Sequence, residues 1–153
     1  MRPWTRNALV FGGASAVVTL GVNLIGSATA TGDACHRSTP LGFVGFVVFL
    51  GLMGAAGYMT TRGGDSVGMA SIAGLVGAVI SAIGTIIGFA IIFSSISAQC
   101  VSQNNTGLSS QQLLTTGGIA AGILTSLIGL GIGAGVGAIG GLIGRGQTAP
   151  TAG

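Results

Sequence analysis

Between Asp65 and Arg145 no residue carries a formal charge, a run far longer than the core of a soluble domain requires. Charge is scarce elsewhere too. The 153 residues contain five arginines and two aspartates, with no lysine and no glutamate, so charged residues make up 5% of the chain. A soluble domain carries about 25%, because its surface must hold water. With a mean hydropathy of +0.87, most of this surface is built for a solvent other than water.

A crossing of the hydrocarbon core takes about 20 residues as a helix. Four apolar stretches meet that length: 8–30, 41–59, 67–96 and 113–143. The expected fold is all-α, a polytopic membrane protein with four transmembrane helices in one domain, 1–153, ending in a short polar tail, 145–153. Barrel strands are excluded, because they alternate polar and apolar residues over about ten positions and these stretches are continuously apolar. A signal peptide competes for the first stretch, which follows Arg2 and Arg6 and ends in Ala28-Thr29-Ala30. Its apolar core, however, exceeds the roughly 7–15 residues of such a segment, so a retained helix is expected.

Orientation follows from the arginines. Arg2, Arg6, Arg62 and Arg145 fall on one side of the four crossings and Arg37 on the other. Because basic residues concentrate in cytoplasmic loops, both termini are expected in the cytoplasm, with the plasma (inner) membrane as the location. Trp4, beside the arginines, suits an interfacial anchor. The basic balance does not indicate nucleic acid: the arginines form no stripe and there is no base-stacking platform.

Cys35 and Cys100 then fall in the two outer loops, where disulfides form and persist. Two cysteines allow one intramolecular bridge, which would join the end of the first helix to the end of the third. The alternatives are two free thiols, or a metal or redox role. Two cysteines and the one histidine, His36, make a poor zinc site, and no metal or cofactor is expected.

Glycine accounts for 31 residues, without the three-residue period of collagen. In membrane helices small residues permit close backbone approach, which supplies dispersion contacts. Gly129, Gly133, Gly137 and Gly141 recur every four residues in the last stretch. Gly131 with Gly135, and Gly118 with Gly122, add further pairs. The third stretch has a matching row at Ala70, Gly74, Ala78 and Ala82. The expected bundle is therefore Gly-rich and closely packed. Such rows serve internal packing alone, or internal packing together with contact to another subunit or a second copy. Phe43, Phe46 and Phe49 form a stripe expected to face lipid or an apolar partner, since their own helix lacks the polar handle of a pigment or quinone site.

No ionisable side chain lies within the apolar stretches, which argues against an acidic proton relay or voltage sensing. Asp33, Cys35 and His36 are neighbours in sequence but have no oxyanion partner. No catalytic residues are expected, and the chain is read as a non-enzyme. Asn23 is the most polar side chain inside a stretch. It is read first as an interhelical hydrogen-bond partner and second as part of a pore or ligand site. Ser71, Ser81, Thr85, Thr125 and Ser126 are expected to bond to their own helices. The leading functional expectation is a structural or accessory subunit packed within a larger membrane assembly, in contact with lipid and other membrane subunits or copies of itself. The alternative is a passive pore or channel for water or a small neutral solute.

Overall fold

The computed structural model describes residues 2–29, 41–104 and 108–146. It contains four helices: α1 (Pro3–Thr29), α2 (Leu41–Arg62), α3 (Val67–Asn104) and α4 (Leu108–Gly146). Each contains a segment long and apolar enough to cross a membrane. The helices run alternately up and down. α1 packs on α2 and α3, α4 packs on the same two, and α1 and α4 stand apart on opposite sides of that pair.

The distribution of side chains is the reverse of a soluble bundle. The interior holds Ala8, Ala56, Ala70, Ala73 and Ala78 together with Ser15, Thr60 and Ser81, and its largest fully buried side chain is Met53. Leu24, Phe43, Val17, Leu124 and Leu142 are among the large apolar residues that point outward. In water that arrangement would forfeit the burial that drives folding. In lipid it costs little, and small residues inside let the helices approach closely.

Proline at its first position starts α1, where a missing N–H costs nothing, so the helix begins five residues before the apolar stretch does. α3 and α4 likewise continue through 97–104 and 108–112, past the expected limits of 96 and 113. Loss of hydropathy marks the end of the apolar stretch; the serines and glutamines beyond it do not stop a helix. At 38 and 39 residues, these helices are about 57 Å long, well beyond a hydrocarbon core of about 30 Å. Cys100 therefore sits on α3 and not in a loop, a correction to the sequence reading. Asp33, Cys35, His36, Arg37 and residues 147–153 lie outside the described residues.

One end of the bundle gathers the N-terminus of α1, the α2–α3 turn and the C-terminus of α4. Arg2, Arg6, Arg62 and Arg145 are all exposed at this end. Arg62 and Arg145 occupy the last turns of α2 and α4, where a cation complements the helix dipole. The Arg62 guanidinium lies 5.4 Å from the centre of the Tyr58 ring.

Chain reversal between α2 and α3 is specified by sequence. Gly64 has a φ of 94°, a left-handed conformation that glycine adopts without a Cβ penalty. The Asp65 N–H donates to Thr60 O (3.2 Å) and the Gly64 N–H to Thr61 O (3.0 Å), the two bonds of a Schellman C-cap. Ser66 then caps α3, its Oγ accepting from the Met69 N–H at 3.3 Å. Asp65 reaches across the bundle, its Oδ2 accepting from the Trp4 N–H in the first turn of α1 at 3.1 Å. A carboxylate at that position satisfies an orphan donor and complements the helix dipole. Asp65→Ala is expected to cost about 1 kcal/mol, read as a shift in a detergent unfolding curve. Asp65→Asn, which retains an acceptor, should recover part of the loss; equal stability of all three forms would remove Asp65 from the capping role.

Candidate intramembrane cavity

Three helix seams, α1–α3, α3–α4 and α2–α4, hold the bundle at backbone distance. Between α1 and α3, a Cβ added at Gly12 would lie 2.7 Å from Gly77 Cα, and one at Gly84 would lie 3.0 Å from Ala16 Cβ. The Ser15 and Ser81 hydroxyls meet across this seam at 2.9 Å. Between α3 and α4, a Cβ at Gly137 would lie 2.8 Å from Ala70 O and 2.9 Å from Gly74 Cα, and one at Gly133 would lie 2.6 Å from Ala78 Cβ. Gly141 stands against Ala70 Cβ, and Ser71 donates to Ala134 O at 3.1 Å. Ser71 and Ser81 thus bond between helices, contrary to the expectation that they would turn back on their own. Thr85 does turn back, donating to Ser81 O at 3.0 Å.

The α4 row divides. A step of four residues advances about 40° around an α-helix, so the run from Gly129 to Gly141 turns through about 120° in a straight helix. Gly133, Gly137 and Gly141 meet α3, while a Cβ at Gly129 meets nothing within 4 Å. Gly137 also faces α2, where a Cβ on Gly57 would collide with Gly137 O. Gly54 opposes Gly140, and Gly144 opposes Tyr58 O at 2.8 Å from its added Cβ. All these α2–α4 approaches lie toward the arginine end.

Toward the other end the helices leave a cavity of about 260 Å³ lined by all four. α1 contributes Thr19, Val22 and Asn23; α2 contributes Gly45, Phe46 and Phe49. Ala78, Ser81, Ala82, Thr85 and Phe89 come from α3, with Thr125, Ser126, Ile128, Gly129 and Ile132 from α4. None of these described lining residues is charged. Gly129 and Ala82, expected in helix packing, are thus in the cavity wall. Asn23 also lines it, its Nδ2 lying 3.4 Å from where a Gly88 Cβ would stand. Ser126 Oγ is enclosed with no hydrogen-bond partner among the described residues.

The phenylalanine stripe is not uniform. Phe43 is 73% exposed and points outward, whereas Phe46 and Phe49 line the cavity. Their helix offers no polar group there, but Asn23, Thr125 and Ser126 supply several from α1 and α4. Sequence reasoning considered α2 by itself and missed this pairing. Four-residue spacing on α1 and α3 (Thr19 with Asn23, Ser81 with Thr85) was the available signal. Among the described residues no cluster of three His, Cys, Asp or Glu could hold a metal. No protein family, curated protein or solved structure matches this chain.

Proposed function

We propose that the chain is a non-enzymatic integral membrane protein, an accessory or structural subunit packed within a larger membrane assembly, with both termini on the cytoplasmic side of the plasma (inner) membrane. One observation carries this reading. On the outward face of α4, Cβ positions at Gly131 and Gly135 meet nothing within 4 Å, while Leu127, Ile139 and Leu142 stand exposed around them. Glycine on a lipid face gives up both apolar contact and helix propensity, but against a neighbouring helix it permits close approach. The rows Gly133–Gly137–Gly141 and Ala70–Gly74–Ala78 serve internal packing, which leaves Gly131 and Gly135 for a neighbour. The positive-inside bias of four arginines supports the orientation.

Gentle-detergent extraction from the native membrane is expected to recover a stoichiometric complex. Replacing Gly131 and Gly135 together by leucine should release the chain from it while the chain itself stays folded. A chain recovered as a lone monomer in both forms would overturn the reading.

A second reading, a passive pore for water or a small neutral solute, draws on the polar groups of the cavity. A path continuing from it toward the arginine end meets the backbone approaches of Gly12 to Gly77 and Gly137 to Gly74. Conduction would therefore have to run between bundles, and flux into liposomes carrying the purified protein tests it directly.

A further inference from the structure

The cavity is graded along the bundle. Its end away from the arginines is ringed by Asn23, Thr85, Thr125 and Ser126; its deep end is bounded by Ala78, Phe49, Ile132 and Ser81, whose hydroxyl is already bonded to Ser15. From Thr125 to Ile132 is about 10 Å of helix axis at 1.5 Å per residue. With the helices embedded in a bilayer, the polar ring lies toward one interface and the apolar end toward the midplane. The wall is also incomplete on the α2–α4 side, where Phe46 and Ile128 at the rim are 45% and 59% exposed.

From this juxtaposition of a polar ring, an apolar floor and an open flank between α2 and α4, we infer that the cavity binds a neutral lipid, its hydroxyl or ester carbonyl beside Asn23 and one acyl chain against Phe46, Phe49 and Ile132.

The occupant follows from the lining. A carboxamide both donates and accepts, so Asn23 can bind a hydroxyl or a carbonyl. A polar group left without a partner in hydrocarbon is costly, so a carboxamide facing this cavity favours an occupant that brings a polar group to it. Among the described lining residues a phosphate or ammonium head finds no counter-charge, and an unpaired charge drawn into the cavity would be expensive. The cavity lies just under the usual range for ligand pockets, roughly 300–1,000 Å³. One chain and the adjoining polar group therefore enter, while the remainder of the lipid stays in the bilayer. A water-soluble ligand would need a route from the aqueous phase; a lipid enters sideways past Phe46 and Ile128.

The test uses the full chain in nanodiscs and two photoreactive probes, each with a diazirine in the middle of one acyl chain. One is a diacylglycerol and the other a phosphatidylserine. The diacylglycerol should form adducts on the peptides containing Phe46–Phe49 and Ile128–Ile132, in clear excess over phosphatidylserine. Gly129→Leu places a side chain where the Cβ meets nothing within 4 Å, filling the cavity without a backbone clash. It should cut that labelling on the order of tenfold. Gly51→Leu, equally unobstructed but outside the cavity, should leave it unchanged. Asn23→Leu should lower it about fivefold through loss of the head-group hydrogen bond, and this variant decides the matter if Gly129→Leu does not fold. Labelling equal for both probes, or insensitive to Gly129→Leu and Asn23→Leu, overturns the inference. The Gly131–Gly135 association test can succeed or fail independently of these results.

Discussion

Gly137→Leu is expected to dismantle the packed bundle, destabilising it by roughly 4 kcal/mol or more, beyond the usual ~1–3 kcal/mol of core overpacking. Gly137 is the residue on which three helices converge. Its added Cβ would stand 2.8 Å from Ala70 O and 2.9 Å from Gly74 Cα, and its own carbonyl fills the place where a Gly57 Cβ would stand. The obstructing atoms are all backbone of α3, so no side-chain rotation relieves them, and the Gly137 carbonyl packed at Gly57 leaves α4 little room to shift toward α2. Alanine separates the opposing effects. It gains about 1 kcal/mol of helix propensity over glycine and meets a ~1–3 kcal/mol packing penalty; the expected result is a net loss of about 0–2 kcal/mol. Gly131→Leu, six residues earlier on an open face, should change bundle stability by no more than about 0.5 kcal/mol. Unfolding in mixed micelles with increasing dodecyl sulfate, followed by near-ultraviolet dichroism, ranks the four proteins. If Gly137→Leu proved as stable as Gly131→Leu, the α2–α3–α4 junction would not be the close contact described here.

The contrast between Gly137 and Gly131 also explains how much the sequence could reveal. Hydropathy identifies apolar lengths, so four helices were legible, as was their common arginine-bearing end. It does not identify the inward face, because Leu, Ile and Val surround these helices and polarity scarcely changes with azimuth. Small residues carry that information, but a four-residue row drifts around the helix. Thus Gly129 opens into the cavity while Gly133 and Gly137 meet α3. Helix ends were misplaced where polarity was taken for termination, as at residues 97–104. Caps at Pro3, Gly64 and Ser66 rest on local chemistry and could be read directly. The cavity was hidden for a different reason. Asn23, Phe49, Thr85 and Thr125 are on four different helices, and no one-dimensional spacing brings them together.

Replacing Cys35 or Cys100 by serine is expected to destabilise the chain by up to about 4 kcal/mol, the entropic value for a bridge closing a loop of about 65 residues. We propose this pairing from the sequence positions of the two cysteines; the α1–α3 seam sets only where the helices that carry their segments lie. Gly12 faces Gly77, Ser15 faces Ser81, Ala16 faces Gly84 and Leu20 faces Gly88, so parallel positions differ by 65 to 68. Carried to its end, the seam sets Thr29 level with positions near 94–97 of α3, leaving Cys100 about 5–9 Å further along at 1.5 Å per residue. The six residues from Thr29 to Cys35 can span up to about 20 Å when extended, more than the distance needed. Part of the entropic value is lost in a bilayer, because helices that separate without leaving the membrane are already constrained. A bridge also makes a claim that free thiols do not: the two single substitutions and the double should give one and the same loss, since each removes the same covalent link. Maleimide labelling under denaturing conditions supplies the chemical counterpart, with both thiols of the unmodified chain reacting only after reduction. Two thiols that label without reductant, or serine substitutions whose effects add, would leave α1 and α3 held by the Gly12–Gly77 seam and the Ser15–Ser81 bond without a covalent tie.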